Sequence, residues 1–214
     1  MKPCRIAIMA KAPVAGLAKT RLAPALGAAG AAALAQRLLA HAVAQAAAAD
    51  LGPVTLWATP DASHPAFTQA QRQHGVTLAL QAGSDLGARM AQVFAAGFAL
   101  DSSPILLMGT DAPALTAAEL RQAAAALRSH DAVFVPAHDG GYALVGLRAA
   151  PPGWLHALFS GMTWSTAQVM AQTRQRLVAA GIDHTELRAV ADIDEPADLV
   201  HLPAHLHHTL EKSS

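Results

Sequence analysis

Asp111 follows Ile105-Leu106-Leu107-Met108 and Gly109-Thr110, so one carboxylate stands at the exit of a run with no polar alternation. Ligands of open α/β sheets bind beyond the carboxyl ends of such strands, and a hard oxygen donor there can hold Mg²⁺ against a phosphate. The structural alternative is an Asx turn, or a cap for the helix expected near Thr116. A second constellation gathers Lys11, Lys19 and Arg21 in the loop from Ala10 to Leu22, together with Pro13 and Gly16. It reads as a phosphate clamp: Gly16 permits close approach of the main chain, Lys19 offers a point charge and Arg21 a two-pronged donor. It is not a Walker motif, because Pro13 and Ala18 stand where that motif needs Gly before Lys19-Thr20. The structural alternative here is a solvated basic loop.

Three further segments carry polar groups at expected strand ends. In Gln81-Ala82-Gly83-Ser84-Asp85, leading to Arg89, Gln81 can read a base through both amide donor and acceptor. Gly83 and the helix start can admit a base or phosphate; Asp85 as an ordinary cap supported by Arg89 is the competing reading. His138-Asp139-Gly140-Gly141-Tyr142 lets a substrate lie against the main chain, or is a plain hairpin turn. In Asp192-Ile193-Asp194-Glu195-Pro196, alternation along an extended segment can deliver Asp194 to a metal held by Asp111. Asp192 lies on the same face and competes for that place, and capping of the following helix is the alternative for Asp194.

The elements that position these residues follow from apolar patterning. Strands are expected at Arg5–Ala10, Val54–Ala58, Val76–Leu80, Ile105–Met108, Ala132–Pro136, Tyr142–Leu147 and Thr185–Val190. Helices are expected at Ala28–Ala49, Pro65–His74, Leu86–Leu100, Thr116–Ser129 and Ser165–Ala180, with a short one from Pro196. The early β-α alternation implies right-handed crossovers and a mainly parallel sheet with helices on both faces. Residues 138–141 are too few for a crossover, so the sheet is expected to be mixed.

A chain of 214 residues suits one α/β domain, expected over residues 1–201 with a frayed tail at 202–214. Ala149-Ala150-Pro151-Pro152-Gly153 is the strongest internal punctuation and could set off a smaller acceptor-facing part. With 15 basic and 15 acidic side chains, no global field attracts nucleic acid or an anionic membrane. Residues 28–49 approach the length of a membrane span, but Gln36, Arg37, His41 and Gln45 interrupt them; Leu34, Leu38, Leu39 and Val43 instead mark one packing face. The lone Cys4 suits the core of a cytoplasmic protein. His201, His205, His207 and His208 match no compact metal spacing and read as a solvated tail.

Taken in order, Lys11-Ala12-Pro13 with Gly16, Lys19-Thr20-Arg21-Leu22, Asp85 to Met90, Gly109 to Pro113, Asp139 to Tyr142, Trp164-Ser165-Thr166 and Asp192 to Pro196 resemble the nucleotide-diphospho-sugar transferases. These have the GT-A-like fold, a three-layer Rossmann relative. Within that fold, the motifs are similar to a bacterial family of transferases associated with radical-SAM and selenodomain proteins, described as arsenosugar-biosynthesis glycosyltransferases. They more distantly resemble the guanylyltransferases that act on molybdenum cofactor or 2-phospho-L-lactate. The resemblance spans residues 3 to about 201 and implies that Asp111 and Asp194 hold Mg²⁺ or Mn²⁺ while Lys19 and Arg21 grip phosphates. It implies a nucleotide site around Ala10, Lys11, Gly16, Gln81, Gly83 and Arg89. The acceptor would lie near Asp139, Gly140, Gly141, Tyr142, Trp164, Ser165 and Thr166. Gly109 replaces the first carboxylate of the Asp-x-Asp signature of sugar-transferring relatives, which tilts the expectation toward nucleotidyl transfer from a nucleoside triphosphate to a small acceptor. Glycosyl transfer from a nucleotide sugar, and a module that binds nucleotide without turnover, are the alternatives.

Overall fold

The run Ile105–Met108 is buried at every position, as a strand covered on both faces must be. It forms β4 in the computed structural model of the chain, which describes residues 3–207. Before it come β1 (Arg5–Lys11), α1 (Ala23–Ala49), β2 (Val54–Thr59), α2 (Pro65–His74), β3 (Thr77–Leu80) and α3 (Leu86–Leu100). After it come α4 (Ala117–Ala126), β5 (Ala132–Pro136), β6 (Tyr142–Leu147), α5 (Trp154–Phe159), α6 (Val169–Ala179) and β7 (His184–Glu186). The strands make one sheet in the order β3-β2-β1-β4-β6-β5-β7. Every pairing is parallel except those of β6, which runs antiparallel to β4 and β5. This is the expected three-layer, mainly parallel mixed sheet.

Alternation along the strands feeds two layers. Leu106 and Met108 join Ile6, Ile8, Leu56, Phe67 and Leu120 under α1, α2 and α4, while Ile105 and Leu107 join Phe94, Phe134, Phe159 and Leu177 under α3, α5 and α6. Gly27 (φ 69°, ψ 163°) breaks the first helical turn of α1 from the rest, so the regular helix starts where the sequence pattern puts it, at Ala28. By length and composition the helical stretch Thr20–Ala49 could cross a membrane, but Leu34, Leu38, Leu39 and Val43 are fully or almost fully buried within the protein.

Four expectations need correction. The punctuation at 149–153 separates no independent part: α5 follows at once, and Phe159 stacks on Phe94 of α3 at 5.7 Å. The helix expected from Ser165 begins at Val169, because Ser165 is left-handed (φ 60°). The last strand is shorter than Thr185–Val190; after Glu186 the chain leaves the sheet and returns only as an isolated bridge between Ala137 and Val190. Fraying from residue 202 does not hold for residues 202–207: Leu202 and Leu206 are buried with Leu22, Ala31, Leu34, Leu38 and Ile193 in a third apolar cluster. His201, His205 and His207 are exposed, as expected of solvated histidines, though His205 contacts His41 and His207 the Leu202 carbonyl. His208 and residues 209–214 lie outside the described residues.

Candidate active site at the carboxyl edge of the sheet

The carboxyl ends of β1, β2, β3 and β4 and the amino end of antiparallel β6 share one edge, and a cavity of about 580 Å³ opens there. Ala10 and Lys11 line it from the end of β1, Lys19 and Arg21 from the segment that follows, and Gln81 and Arg89 from the third crossover. Asp111 and Asp194 stand in the same wall. The expected acceptor side supplies Asp139, Gly141, Tyr142, Trp164, Ser165 and Thr166. Gly16, Gly83 and Gly140 are not among the lining residues.

Lys19 joins the carboxylates. Its Nζ lies 2.7 Å from Asp111 Oδ1 and 2.8 Å from Asp194 Oδ1, with only 7% of the side chain exposed. Burial alone would push the ammonium's pKa down, but the two carboxylates together outweigh it and hold the pKa above its ordinary value. In this structure the Lys19 ammonium is engaged by the two carboxylates. The mutual repulsion of Asp111 and Asp194 is relieved by an ammonium, so a divalent ion is not needed to explain their approach. Arg21 NH1 lies 3.8 Å from Asp194 and 3.7 Å from Glu195 on a side chain that is 62% exposed, which leaves its fork open to a ligand.

The backbone explains how residues so distant in sequence meet. Ile193 N donates to the Asp111 carbonyl at 2.8 Å, and the Ile193 side chain is buried against Leu22 and Leu34. Alternation then turns Asp192 and Asp194 toward the cavity. Asp194 is not the helix cap: Glu195 is, and Asp198 Oδ2 accepts from the main-chain N–H groups of Asp194 and Glu195. Thr110 Oγ1 donates to Asp111 Oδ1 at 3.2 Å. Burial, then the nearby charges of Asp139, Asp194 and Asp198, raise the pKa of Asp192.

The other predicted residues divide between lining and scaffolding. Gln81 Nε2 donates to the Trp57 carbonyl at 2.8 Å and the Ala10 carbonyl at 3.3 Å, so only Oε1 is left to meet a base, not both ends of the amide as expected. Asp85 caps α3 by accepting from Ala88 N, and Arg89 Nε donates to the Gly83 carbonyl at 3.3 Å. Gly16 forms an open turn. Asp139 accepts from Gly141 N at 2.8 Å, which makes it a turn former as well as a lining residue. Gly140 (φ 92°) packs on the chain: a Cβ there would stand 2.3 Å from the Ala167 carbonyl oxygen.

Tyr142 sits edge-on to both Phe134 and Trp164, and burial raises its phenol pKa well above normal. Gly87, which carried no assigned role, makes room for this wall, since a Cβ would meet the Phe159 carbonyl at 2.2 Å and Trp164 Nε1 at 2.8 Å. Its only sequence signal is a glycine one residue inside a helix start, where propensity disfavours it.

Among the described residues, no group of three or more His, Cys, Asp or Glu could hold a metal. Asp111 and Asp194 still fit Mg²⁺ or Mn²⁺ in the manner of one or two carboxylates completed by water and substrate phosphates. Each presents one oxygen to Lys19, and the side chains are 46% and 41% exposed.

Residues 39–166 match the family described as "Uncharacterized protein conserved in bacteria (DUF2064)". The chain belongs to that family. The matched stretch of this DUF2064 protein contains Gln81, Asp111, Asp139 and Trp164, whereas Lys19, Arg21 and Asp194 fall outside it. No curated protein matches the chain in sequence. Among solved structures it is similar to a "putative nucleotide-diphospho-sugar transferase" from Desulfovibrio desulfuricans G20, with 28% identity, 100% of this chain and 92% of that one covered, and a TM-score of 0.85. It shares its fold with a nucleotidyl transferase from Methanothermobacter thermautotroptrophicus (12% identity, 98% and 100% covered, TM-score 0.65). The fold also matches a Mycobacterium tuberculosis H37Rv protein solved in complex with manganese (18% identity, 94% and 98% covered, TM-score 0.52). The architecture of the DUF2064 chain is thus that of the nucleotide-diphospho-sugar and nucleotidyl transferases.

Proposed function

We propose that this transferase binds a nucleoside triphosphate with Mg²⁺ or Mn²⁺ in the edge cavity and transfers the nucleotidyl group to a small acceptor. The observation that carries the reading is the meeting of Asp111 and Asp194 over Lys19, with the open fork of Arg21 beside them. The cavity is lined by four carboxylates, Asp111, Asp139, Asp192 and Asp194, against four cations, Lys11, Lys19, Arg21 and Arg89, so it has no net positive charge for a polyphosphate and an added cation would supply it. Asp111 and Asp194 would hold the divalent ion, and the ion would neutralise phosphate charge. Arg21 then supplies paired donors to the phosphates, Lys11 and Arg89 add positive charge from the same lining, and Gln81 Oε1 accepts from a base N–H. Tyr142 and Trp164 form an apolar floor that excludes water beside the attacking oxygen of the acceptor. That oxygen displaces pyrophosphate at the α-phosphorus, and no side chain forms a covalent intermediate. Positioning and charge compensation supply the rate.

A second reading, glycosyl transfer from a nucleotide sugar, draws on the name of the Desulfovibrio relative and uses the same diphosphate site. Gly109 in place of a metal-binding carboxylate favours nucleotidyl transfer. A cytoplasmic setting suits a nucleotide substrate and a single buried, unpaired Cys4. The test is thermal stabilisation by each common nucleoside triphosphate and nucleotide sugar, with and without Mg²⁺ or Mn²⁺. At a hundredfold excess over Kd, the preferred donor with metal should add about 2.7 kcal/mol of stability. Stabilisation by triphosphates above nucleotide sugars supports nucleotidyl transfer, the reverse order supports glycosyl transfer, and no shift with any donor refutes both.

A further inference from the structure

The Lys19 side chain is only 7% exposed, against 46% for Asp111, 41% for Asp194 and 62% for Arg21, yet it lies in the segment that offers Lys11 and Arg21 to the cavity. Its backbone is left-handed (φ 49°, ψ 43°), an unfavourable state for a residue with a Cβ. The tip of the loop before it is open to solvent, with Val14 and Leu17 39% and 58% exposed and nothing within 4 Å of a Cβ built on Gly16, while Ala12 and Ala18 at its two ends are buried. The ammonium takes one oxygen of each carboxylate and stands between them, where a shared divalent ion would sit, and a flexible four-carbon stem lets such a head turn elsewhere.

We propose that Lys19 is a built-in counter-ion that exchanges with the divalent metal: as the metal takes Asp111 and Asp194, the ammonium leaves them for the nucleotide's phosphates. Metal alone must displace Lys19 into solvent, and nucleotide alone meets a wall whose lysine is engaged. Together, each displaced partner finds a new opposite charge, so metal and nucleotide bind with positive cooperativity. The proposal rests on the reading of Asp111 and Asp194 as the metal pair.

Mn²⁺ binding, followed by the electron paramagnetic resonance of the free ion, separates the two ideas. Without nucleotide, Lys19→Met should bind Mn²⁺ roughly ten- to a hundredfold more tightly than wild type, because two charge-assisted contacts no longer compete. Arg21→Met removes the same charge from a longer, exposed contact and should change the affinity by less than about threefold. In wild type a nucleoside triphosphate should tighten Mn²⁺ binding, and in Lys19→Met that cooperativity should fall away. In the folded wild type, the ammonium resonance of Lys19 is one of only four from lysines, Lys2, Lys11, Lys19 and Lys212. It should stay in place with metal alone at the concentration used for the ternary complex and move when nucleotide is added. Equal Mn²⁺ affinity of Lys19→Met and wild type, or an unmoved resonance in the ternary complex, overturns the exchange while leaving the metal pair standing. Absence of Mn²⁺ binding in wild type even with nucleotide overturns both.

Discussion

Asp111→Asn removes one of the two charges that hold the Lys19 ammonium while keeping the size of the side chain and an oxygen that can accept from it. What is lost is the charge-assisted part of a contact now at 2.7 Å. A hydrogen bond to a charged group contributes about 1.5–3 kcal/mol. Because Asp111 is 46% exposed, water screens part of it, and relief of repulsion with Asp194 offsets a little more. A net loss of about 1–2 kcal/mol remains, which lowers Tm by about 2–8 °C for a chain of this size. The effect carries its own pH signature. Lys19 has a raised pKa in the folded state, so its contribution is fully present below the unfolded value and is lost as pH rises through the folded one. The gap in Tm between the two proteins should be full at neutral pH and close in the alkaline range beyond the ordinary lysine value of about 10.4. Taking the difference between the two proteins cancels other groups titrating there. Thermal unfolding by circular dichroism from pH 7 upward measures it, and the same samples with Mn²⁺ and nucleotide should show stabilisation of wild type only. Equal Tm values at neutral pH, or a gap unchanged at the alkaline end, would show that Asp111 does not hold Lys19 in solution.

Arg21→Lys should impair turnover nearly as much as Arg21→Ala, by roughly 10²-fold, because a point charge cannot reproduce the paired donors of the guanidinium; near-normal kinetics of the Lys variant would reduce Arg21 to a source of general positive charge. Gln81→Glu sets a carboxylate against the Ala10 and Trp57 carbonyls and should cost about 1–3 kcal/mol at pH 7. Its protonation should restore part of this near pH 4, so an unfolding midpoint that does not recover relative to wild type would count against those two bonds. Gly140→Ala combines a left-handed backbone with a Cβ 2.3 Å from the Ala167 carbonyl oxygen, and should lower stability by about 2–4 kcal/mol in urea unfolding. A change below about 0.5 kcal/mol, within the range of a neutral surface substitution, would show that the turn relaxes freely.

Much of this architecture was legible because local physics and burial agree along the chain. Ile105–Met108 has no polar residue and became a central strand; Ala132–Pro136 and Tyr142–Leu147, too close together for a crossover, became the antiparallel pair. Pro65 and Gly75 bracket α2, and Asp85 opens α3 as a cap. Errors cluster where the local signal was weak or was overridden by context. The short α5 follows directly on the segment read as punctuation and was not expected, and Ser165 adopts a left-handed state that nothing in its side chain demands.

The order of the motifs placed Asp111, Asp194, Lys19 and Arg21 at one edge of the sheet, since strand ends are set by apolar runs and all parallel strands finish on the same side. Only the tertiary structure decided which of these charges touch. Lys19 and Asp194 are 175 positions apart and meet because Ile193 is drawn into an apolar cluster with Leu22 and Leu34 while its N–H is held by the Asp111 carbonyl. In the same way, the amide donors of Gln81 are taken by main-chain carbonyls of two neighbouring strands. Sequence pattern fixes which residues a strand delivers to an edge; the direction of each side chain there depends on groups brought by other elements, whose positions are set by burial far along the chain.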